Sequence, residues 1–405
     1  MQQGQWEKDF GPHQAVDRDL IILAIIAYVT IGIFYNEPLL YVVIGVLITY
    51  VLINSFYNRT IGKKLYLEPK RETIRLFQGD EGSFTFEFEN NSLLPHLHGQ
   101  LRFQITPIIK ALDGDITSSE QVFAFHKSFS IRGKGQTLVS FPFQAERRGV
   151  TRIRNLSYSF PHLFNFNVLT LKYLPFQRRE VVVFPKPLEI KDVDIAYQMA
   201  PGEQRVNLSP FEDIQSPIST RNYEYGDPFY KVNWKASAKS GQLQTNLYER
   251  VVEASYLFLV NIRQSDEVIQ LNEVMEEILS YTTYLCNKAF EQEINYEMYI
   301  NARTASNIPF LQLSEGSGRA HYIRSLEMLA RIPRHSMTYP FDEMVYRVKN
   351  RTAAPKTIIL VGDTSKEVNH FLSQWSKQQR DIFHVIPYEG GAVMEPWQGD
   401  VKIHA

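Results

Sequence analysis

Two stretches near the start of the chain constrain its folding most. Leu20 to Asn36 carries no charged side chain, and neither does Leu39 to Asn58. Each approaches the ~20 apolar residues with which a helix crosses a bilayer, the first falling somewhat short. Asn36, Glu37 and Pro38 between them read as a tight turn, since proline cannot continue a helix. A membrane helical hairpin over residues 19–58 is the expectation, and a soluble helical hairpin within a domain core is the alternative. A signal peptide fits poorly. Residues 1–18 mix Lys8 and Arg18 with Glu7, Asp9 and Asp17, so no basic leading region exists, and a second apolar run follows the first.

Flanking cations set the expected orientation. The short connection has none, whereas Arg59, Lys63, Lys64, Lys70 and Arg71 follow the second stretch and Lys8 and Arg18 precede the first. Both ends, and the whole soluble body with them, are expected in the cytosol, with residues 1–18 as a short, poorly ordered leader. One cysteine, Cys286, among 405 residues rules out an intrachain disulfide framework and agrees with a reducing compartment. The formal net charge of −1 supplies no field that would gather nucleic acid.

From Leu65 to Pro185 the pattern changes to period two. Ser83 to Glu89 places Phe84, Phe86 and Phe88 on one face and polar residues on the other. Leu101 to Ile105, Val122 to Phe129, Leu138 to Phe143 and Val150 to Tyr158 repeat this, separated by turns such as Asn90-Asn91 and Arg132-Gly133. Residues 65–185 are therefore expected to form an all-β sandwich of immunoglobulin or fibronectin type. His96 and His98 form an isolated H-x-H beside Pro95 and read as a solvated loop, because no further ligand lies nearby in sequence. Arg147-Arg148-Gly149 is a basic turn with two readings: a holder of a carboxylate or lipid phosphate, or a solvated turn.

Residues 186–220 show no clear period and read as a connector. Beyond Glu249, apolar runs alternate with amphipathic segments. Strands are expected over Ala254–Ile262, Ile294–Ile300, Phe310–Leu313, Lys356–Val361 and Ile382–Ile386. Helices are expected over Glu267–Gln292, Gly318–Ile332, Phe341–Lys349 and Lys366–Lys377, with residues 391–405 as a loose tail. This order indicates an α/β domain with a mainly parallel sheet. In such sheets ligands gather at the carboxyl ends of the strands.

Between the two halves, Arg221 to Glu249 concentrates unusual residues. Gly226 suits a positive φ, Asp227 a helix N-cap and Pro228 a first helical position, while Gly241 suits a helix end and Leu243 to Glu249 a strand. The run R-x-Y-x-x-G-D (Arg221, Tyr223, Gly226, Asp227), then V-x-W-K-x-S-A (Trp234, Lys235, Ser237), then L-x-x-x-x-Y-E (Tyr248, Glu249) resembles the signature of a bacterial family. That family is known as "domain of unknown function 58", MoxR-associated, von Willebrand A-like membrane proteins. Tyr230 and Lys231 stand where the family usually has basic residues, and Lys239 replaces a common Arg. Arg147-Arg148-Gly149 and the segment Phe160 to Phe166 also resemble family segments, with departures at His162-Leu163 and Asn165.

The resemblance implies a von Willebrand A-like fold for the 221–390 domain. Metal-binding relatives of that fold carry D-x-S-x-S after the first strand, and here Asn261, Arg263 and Ser265 occupy that place. The first carboxylate is an amide and a cation replaces a hydroxyl, so no metal is expected there. Strand order 3-2-1-4-5 would set the strands ending at Asn261 and at Asp363 side by side, and Arg263 has two open readings: it reaches Asp363 in place of a cation, or it points to solvent from a loop.

The implied function is a membrane-anchored, cytosol-facing scaffold in the bacterial inner membrane. It would work with a MoxR-type AAA+ ATPase and a transglutaminase-like membrane protein in an envelope-related or chaperone-like process. No catalytic residue and no cofactor is expected. The motif then has two open duties: a structural lock with Trp234 buried and Arg221 bonded to Asp227 or Glu249, which ranks first, and an interface. Two other classes stand beside this one. One is a hydrolase or transferase using Tyr223, Asp227, Lys235 and Glu249 for acid–base work. The other is an anionic-lipid or envelope sensor using Arg147, Arg148 and the basic cluster after the second apolar stretch.

Overall fold

The computed structural model describes residues 5–398 except 10–12, 36–37, 114, 119–122, 165–166, 195–211, 251–254, 264–271, 352–355, 378–380 and 389. Two compact units result, residues 1–185 and 186–405.

The first unit opens with strand β1 (Trp6–Asp9) and two helices, α1 (His13–Tyr35) and α2 (Pro38–Thr60). By length and composition α2 is apolar enough to cross a membrane, with a mean hydropathy of 2.2 and none of its apolar window buried. The apolar part of α1, Asp19–Ile33, is shorter. The two helices touch where the Tyr41 hydroxyl donates to the Gly32 carbonyl at 3.2 Å. Asn36 lies outside the described residues.

Twelve further strands follow: β2 (Leu65–Leu67), β3 (Glu72–Phe77), β4 (Glu81–Asn90), β5 (His96–Ile105), β6 (Ile109–Ala111) and β7 (Asp115–Ser118). Then come β8 (Phe123–Ile131), β9 (Gly135–Ala145), β10 (Gly149–Arg152), β11 (Arg154–Pro161), β12 (Val168–Tyr173) and β13 (Arg179–Phe184). One sheet runs β1-β12-β11-β5-β8-β7, a second β2-β4-β9-β6, and a small third β10-β13-β3. The expected sandwich is present, and its alternation explains it. Phe84, Phe86 and Phe88 of β4 turn inward with Phe141 and Phe143 of β9, against Phe103 and Phe125 of the other sheet. Removing such a ring from water stabilises the fold by roughly 1.5–3 kcal/mol. Gly99 on β5 leaves room for the Tyr158 ring, into which a Cβ would run.

Two expectations are corrected in this unit. Residues 6–9 of the leader are ordered, because β1 pairs antiparallel with β12 from Trp6↔Tyr173 to Asp9↔Thr170. Gln5 strengthens this edge by accepting from the Leu67 N–H at 3.0 Å, and Lys8 Nζ donates to the Asn58 carbonyl at 2.8 Å. The end of α2 is part of the sandwich: Tyr57 and Ile61 lie in its core. His96 is not a solvated loop residue. Its ring is fully buried, stacked on Phe160 with centroids 4.4 Å apart. Burial pushes its pKa down to about 4, so the ring is neutral.

The second unit starts with β14 (Ile190–Lys191) and β15 (Glu212–Asn222), then a 3-10 turn (Phe229–Lys231), α3 (Trp234–Ser240) and β16 (Gln244–Arg250). It continues with β17 (Ser255–Val260), α4 (Asn272–Glu291), β18 (Asn295–Arg303), β19 (Phe310–Gly316), α5 (Gly318–Ala330) and α6 (Phe341–Lys349). Last come β20 (Thr357–Val361), α7 (Lys366–Ser376), β21 (Ile382–Tyr388) and β22 (Gly391–Pro396). The main sheet is ordered β14-β22-β21-β20-β17-β18-β19 and is mostly parallel. β17 and β20 are neighbours, Val260 opposite Val361, as expected.

Two clusters cover its faces, one with Met275, Leu279 and Leu285 of α4, the other with Met344 and Val345 of α6 and Leu372 and Trp375 of α7. Two expected irregular segments are in fact structured. The connector contributes β14 to the sheet edge and the long β15, and the tail contributes β22, whose Ala392 and Met394 are buried. β14 and β22 are too short to show a period by themselves, and the partner strand decides them.

Candidate functional site

The 221–249 motif forms a unit of its own. β15 and β16 pair antiparallel, with Arg221 opposite Thr245 and Asn222 opposite Gln244, and the 3-10 turn and α3 fill the space between them. Gly226 has φ 112°, as a turn there requires. The helix starts later than expected. Asn233, not Asp227, is the N-cap, accepting from the Ala236 N–H at 2.9 Å, and Pro228 precedes the 3-10 turn instead of opening the helix. Gly241 ends α3 in the left-handed region, φ 70°.

Asp227 is drawn away from capping by Arg221. The guanidinium Nη2 donates to Asp227 Oδ1 at 2.6 Å, and Oδ2 accepts from the Glu224 N–H at 3.0 Å and from the Thr245 hydroxyl at 3.3 Å. The Glu224 N–H first, and then Arg221, hold the Asp227 carboxyl below its ordinary range. Arg221 also donates to the Asn222 carbonyl at 3.0 Å. Of its two expected carboxylate partners it therefore takes Asp227. Glu249 pairs through its backbone with Asp213, and its side chain lies outside the described ones.

A second polar chain secures the helix. Asn233 Nδ2 donates to Asn246 at 2.8 Å and Asn246 in turn to the Tyr248 hydroxyl at 3.3 Å. Ser237 Oγ donates to the Asn233 carbonyl and accepts from the Gln244 N–H, at 2.7 and 2.8 Å. Arg221, Asp227, Ser237 and Tyr248 are thus tied into one lock, while Lys235 points outward from α3.

Trp234 does the opposite of what was expected. Trp234 is 62% exposed, not buried, and Tyr225, Phe229 and Tyr230 are exposed with it. Tyr223 is half-buried and packs beside Phe229, ring centroids 6.0 Å apart. Among the described residues this ribbon pairs with no further strand. Val232, bridged to Thr245, is the buried apolar residue of this segment, and a two-stranded ribbon has little inner face to offer the rest. The outcome is a polar frame that presents four large aromatic side chains. Aromatic groups held in the open on a fixed backbone can bury area against a partner at small entropic cost. A carboxylate already bonded three ways and held ionised is badly placed to move protons.

The basic turn divides. Arg147 is exposed and Arg148 is buried, so the pair does not present two cations together.

At the carboxyl end of the main sheet, amides occupy the crevice. Asn261 Nδ2 donates to the Asp363 carbonyl at 2.7 Å, and its Oδ1 accepts from Asn301 Nδ2 at 2.7 Å and from the Arg263 N–H at 3.1 Å. Asn301 Oδ1 closes the set by accepting from the Ile262 N–H at 2.9 Å. The backbones meet closely here: a Cβ at Gly362, φ 95°, would collide with the Asn261 carbonyl. Arg263 is exposed, which agrees with the solvent-facing reading of its side chain. An Asn261–Asn301 amide pair occupies the crevice. Ser265 lies outside the described residues.

Sequence reasoning missed a charge cluster at the opposite end of the sheet, in which Lys356 and Glu297 are buried and Glu315 is exposed. Lys356 Nζ lies 3.1 Å from Glu297 and 2.7 Å from Glu315, and Ser255 Oγ donates to Glu315 at 2.6 Å. These residues come from four strand ends or flanks distant in sequence, so no local motif announces them. Ser255, Glu297 and Lys356 lie at the amino ends of parallel strands and Glu315 near the carboxyl end of antiparallel β19, away from the ligand-binding end of the sheet, so the cluster reads as structural.

No family model matches the chain, and none of the curated proteins compared with it matches. Similar solved structures include a non-cellulosomal cohesin from the archaeon Archaeoglobus fulgidus. It is 10% identical, covers 27% of this chain and 86% of its own, and has a TM-score of 0.18. A type I cohesin–dockerin complex from Clostridium thermocellum is 10% identical over 29% of this chain and 98% of its own, with a TM-score of 0.20. Spo0M, a sporulation control protein from Bacillus subtilis, is 12% identical over 30% of this chain and 49% of its own, with a TM-score of 0.16. At TM-scores this low the likeness says nothing of function.

Proposed function

We propose that this protein is a membrane-anchored scaffold that captures a protein partner on the exposed aromatic face of its 221–249 unit. One observation carries the reading. Trp234, Tyr225, Phe229 and Tyr230 stand in solvent on a backbone braced by the Arg221–Asp227 bond and the Asn233 cap. Four large aromatic side chains exposed so close together in sequence offer area that a partner can bury. The earlier ranking of the motif's two duties becomes a division: the polar residues lock and the aromatic residues bind.

The anchor is the helical hairpin, with α2 as a spanning helix and α1 returning beside it. Its two outer ends belong to the same side, because β1 and the end of α2 are both built into one sandwich. The cations after α2 favour the cytosol for that side. The main sheet, with β19 antiparallel at its edge, supports reading the second unit as von Willebrand A-like, and the motif supports membership of the "domain of unknown function 58" family. On that resemblance the partner is a MoxR-type AAA+ ATPase, with a transglutaminase-like membrane protein as a further associate. The sandwich is of immunoglobulin or fibronectin type in this reading.

The test is capture from detergent-solubilised membranes, with and without nucleotide. Recovery of an AAA+ ATPase by the native chain and its loss with Trp234→Ala supports the proposal. Equal recovery by both chains refutes the assigned face, and no ATPase under either condition refutes the partner.

A further inference from the structure

The turn joining β11 to β12 climbs along α2. His162 Nε2 meets Asn58 Oδ1 at 2.8 Å, and its ring packs against Tyr57, centroids 4.5 Å apart. Two residues on, the Phe164 ring lies against Tyr57 at 5.4 Å, and the Phe164 carbonyl accepts from the Tyr50 hydroxyl at 3.4 Å. Tyr50 precedes Tyr57 by two turns, about 10 Å along the helix, and helical side chains lean toward the N-terminus. The turn therefore reaches well into the apolar length of α2 and away from Arg59. Among its described residues the exposed side chains are apolar: Leu163 and Phe164 are exposed, as is Val168 at the start of β12.

Strand register places this turn at the end of the sandwich from which both helices leave. Val168 pairs with Pro161 beside the turn. Asp9, the last residue of β1 before α1, pairs with Thr170. The far end of the same edge holds Trp6, Tyr173 and the exposed Leu174.

We propose that the β11–β12 turn is a lipid-binding wedge, inserting Leu163 and Phe164, with Val168 beside them, into the boundary between headgroups and acyl chains next to α2. The inference rests on the reading of α2 as a spanning helix and adds that the sandwich sits directly on the bilayer. An apolar turn held one and a half turns or more up a spanning helix has no aqueous position open to it. The partner is the lipid itself, through hydrophobic insertion, with no headgroup specificity required.

Site-directed spin labelling of the full chain tests it, in vesicles of phosphatidylcholine and phosphatidylglycerol and in a Cys286→Ala background. Nitroxides are placed by Leu163→Cys, by Phe56→Cys on the exposed side of α2, and by Leu174→Cys at the far end of β12. All three positions are exposed, so labelling spares the core. The expected result is oxygen access with protection from a water-soluble nickel complex at 56 and 163, and free collision with nickel at 174. Protection at 56 with position 163 as open to nickel as 174 overturns the wedge and leaves the anchor standing. Nickel access at 56 overturns both. Protection at all three positions overturns the wedge as a local feature, since the whole edge would then be shielded.

Discussion

In the sandwich, Phe84, Phe86 and Phe88 alternate with polar residues along β4 and are fully buried against a second sheet; in the 221–249 unit, Tyr225, Phe229, Tyr230 and Trp234 crowd a short turn and helix and remain in solvent. Aromatic content is similar in kind, and the strand pairing around it differs. A strand with a sheet above it converts period two into a core. The described residues of the two-stranded ribbon join no further strand, and there the rings stay outside while hydrogen bonds brace the backbone. The difference teaches that an aromatic-rich motif is not by itself a buried lock.

The largest expected effect lies on the sandwich side. Phe103 packs on Phe84, Phe86, Phe125 and Phe141. Phe103→Ala is expected to remove about 3–5 kcal/mol by lost transfer energy and the cavity left behind. Denaturant titration in detergent measures it, and a loss below about 1 kcal/mol would mean that the sandwich core is not close-packed as described.

Next comes His96, a polar ring inside that core. Its folded pKa, about 4, lies below the ordinary 6.5, so the unfolded chain takes up the proton first. Stability is full above pH 6.5 and falls as the pH drops toward 4, by up to about 3 kcal/mol at one proton per molecule. His96→Phe keeps the stack on Phe160 and removes the titration. Its unfolding free energy should be flatter between pH 6.5 and 4 than that of the native chain; parallel curves would dispose of the claim.

His96 also shows where sequence reading stops. Period two in β4, the helix Phe341–Lys349 and the strand near Val361 were legible because each pattern is local. His96 sits beside a proline in an H-x-H and looks solvated; its burial comes from Phe160 on another strand. β1 and β22 escaped notice for the same reason, being four and six residues long and defined by their partners. In the candidate site, the Arg221–Asp227 bond was legible as a choice between two carboxylates. The helix cap was not. Asp227 and Asn233 are both good caps, and only the position of Arg221 on β15 assigns Asp227 elsewhere. Exposure of Trp234 was beyond reach, since it depends on which strands the ribbon joins.

A smaller effect is expected within the polar frame. Arg221→Lys retains the charge but loses the fork that serves Asp227 and the Asn222 carbonyl together. Because the pair is half-exposed, the loss in melting temperature should be modest, yet outside the spread of ordinary surface changes. Faster amide exchange at Glu224, whose N–H is bonded to Asp227, should accompany it. Unchanged exchange there would show that Arg221 does not brace the turn.

The smallest effect on stability should come from Trp234→Ala, and it is the most informative. If Trp234 were the lock that its place in the motif suggests, truncation would open a cavity and cost several kcal/mol, as large buried aromatics do. At 62% exposure it has little to lose, and α3 keeps its Asn233 cap and its Gly241 end without it. Alanine also favours a helix. The unfolding free energy should therefore stay within about 0.5 kcal/mol of the native value. Partner capture should fall sharply, as when an aromatic anchor is removed from the centre of an interface. A stable protein that no longer captures its partner separates binding from locking within one motif. A destabilised protein would return Trp234 to the core and erase the contrast with the sandwich.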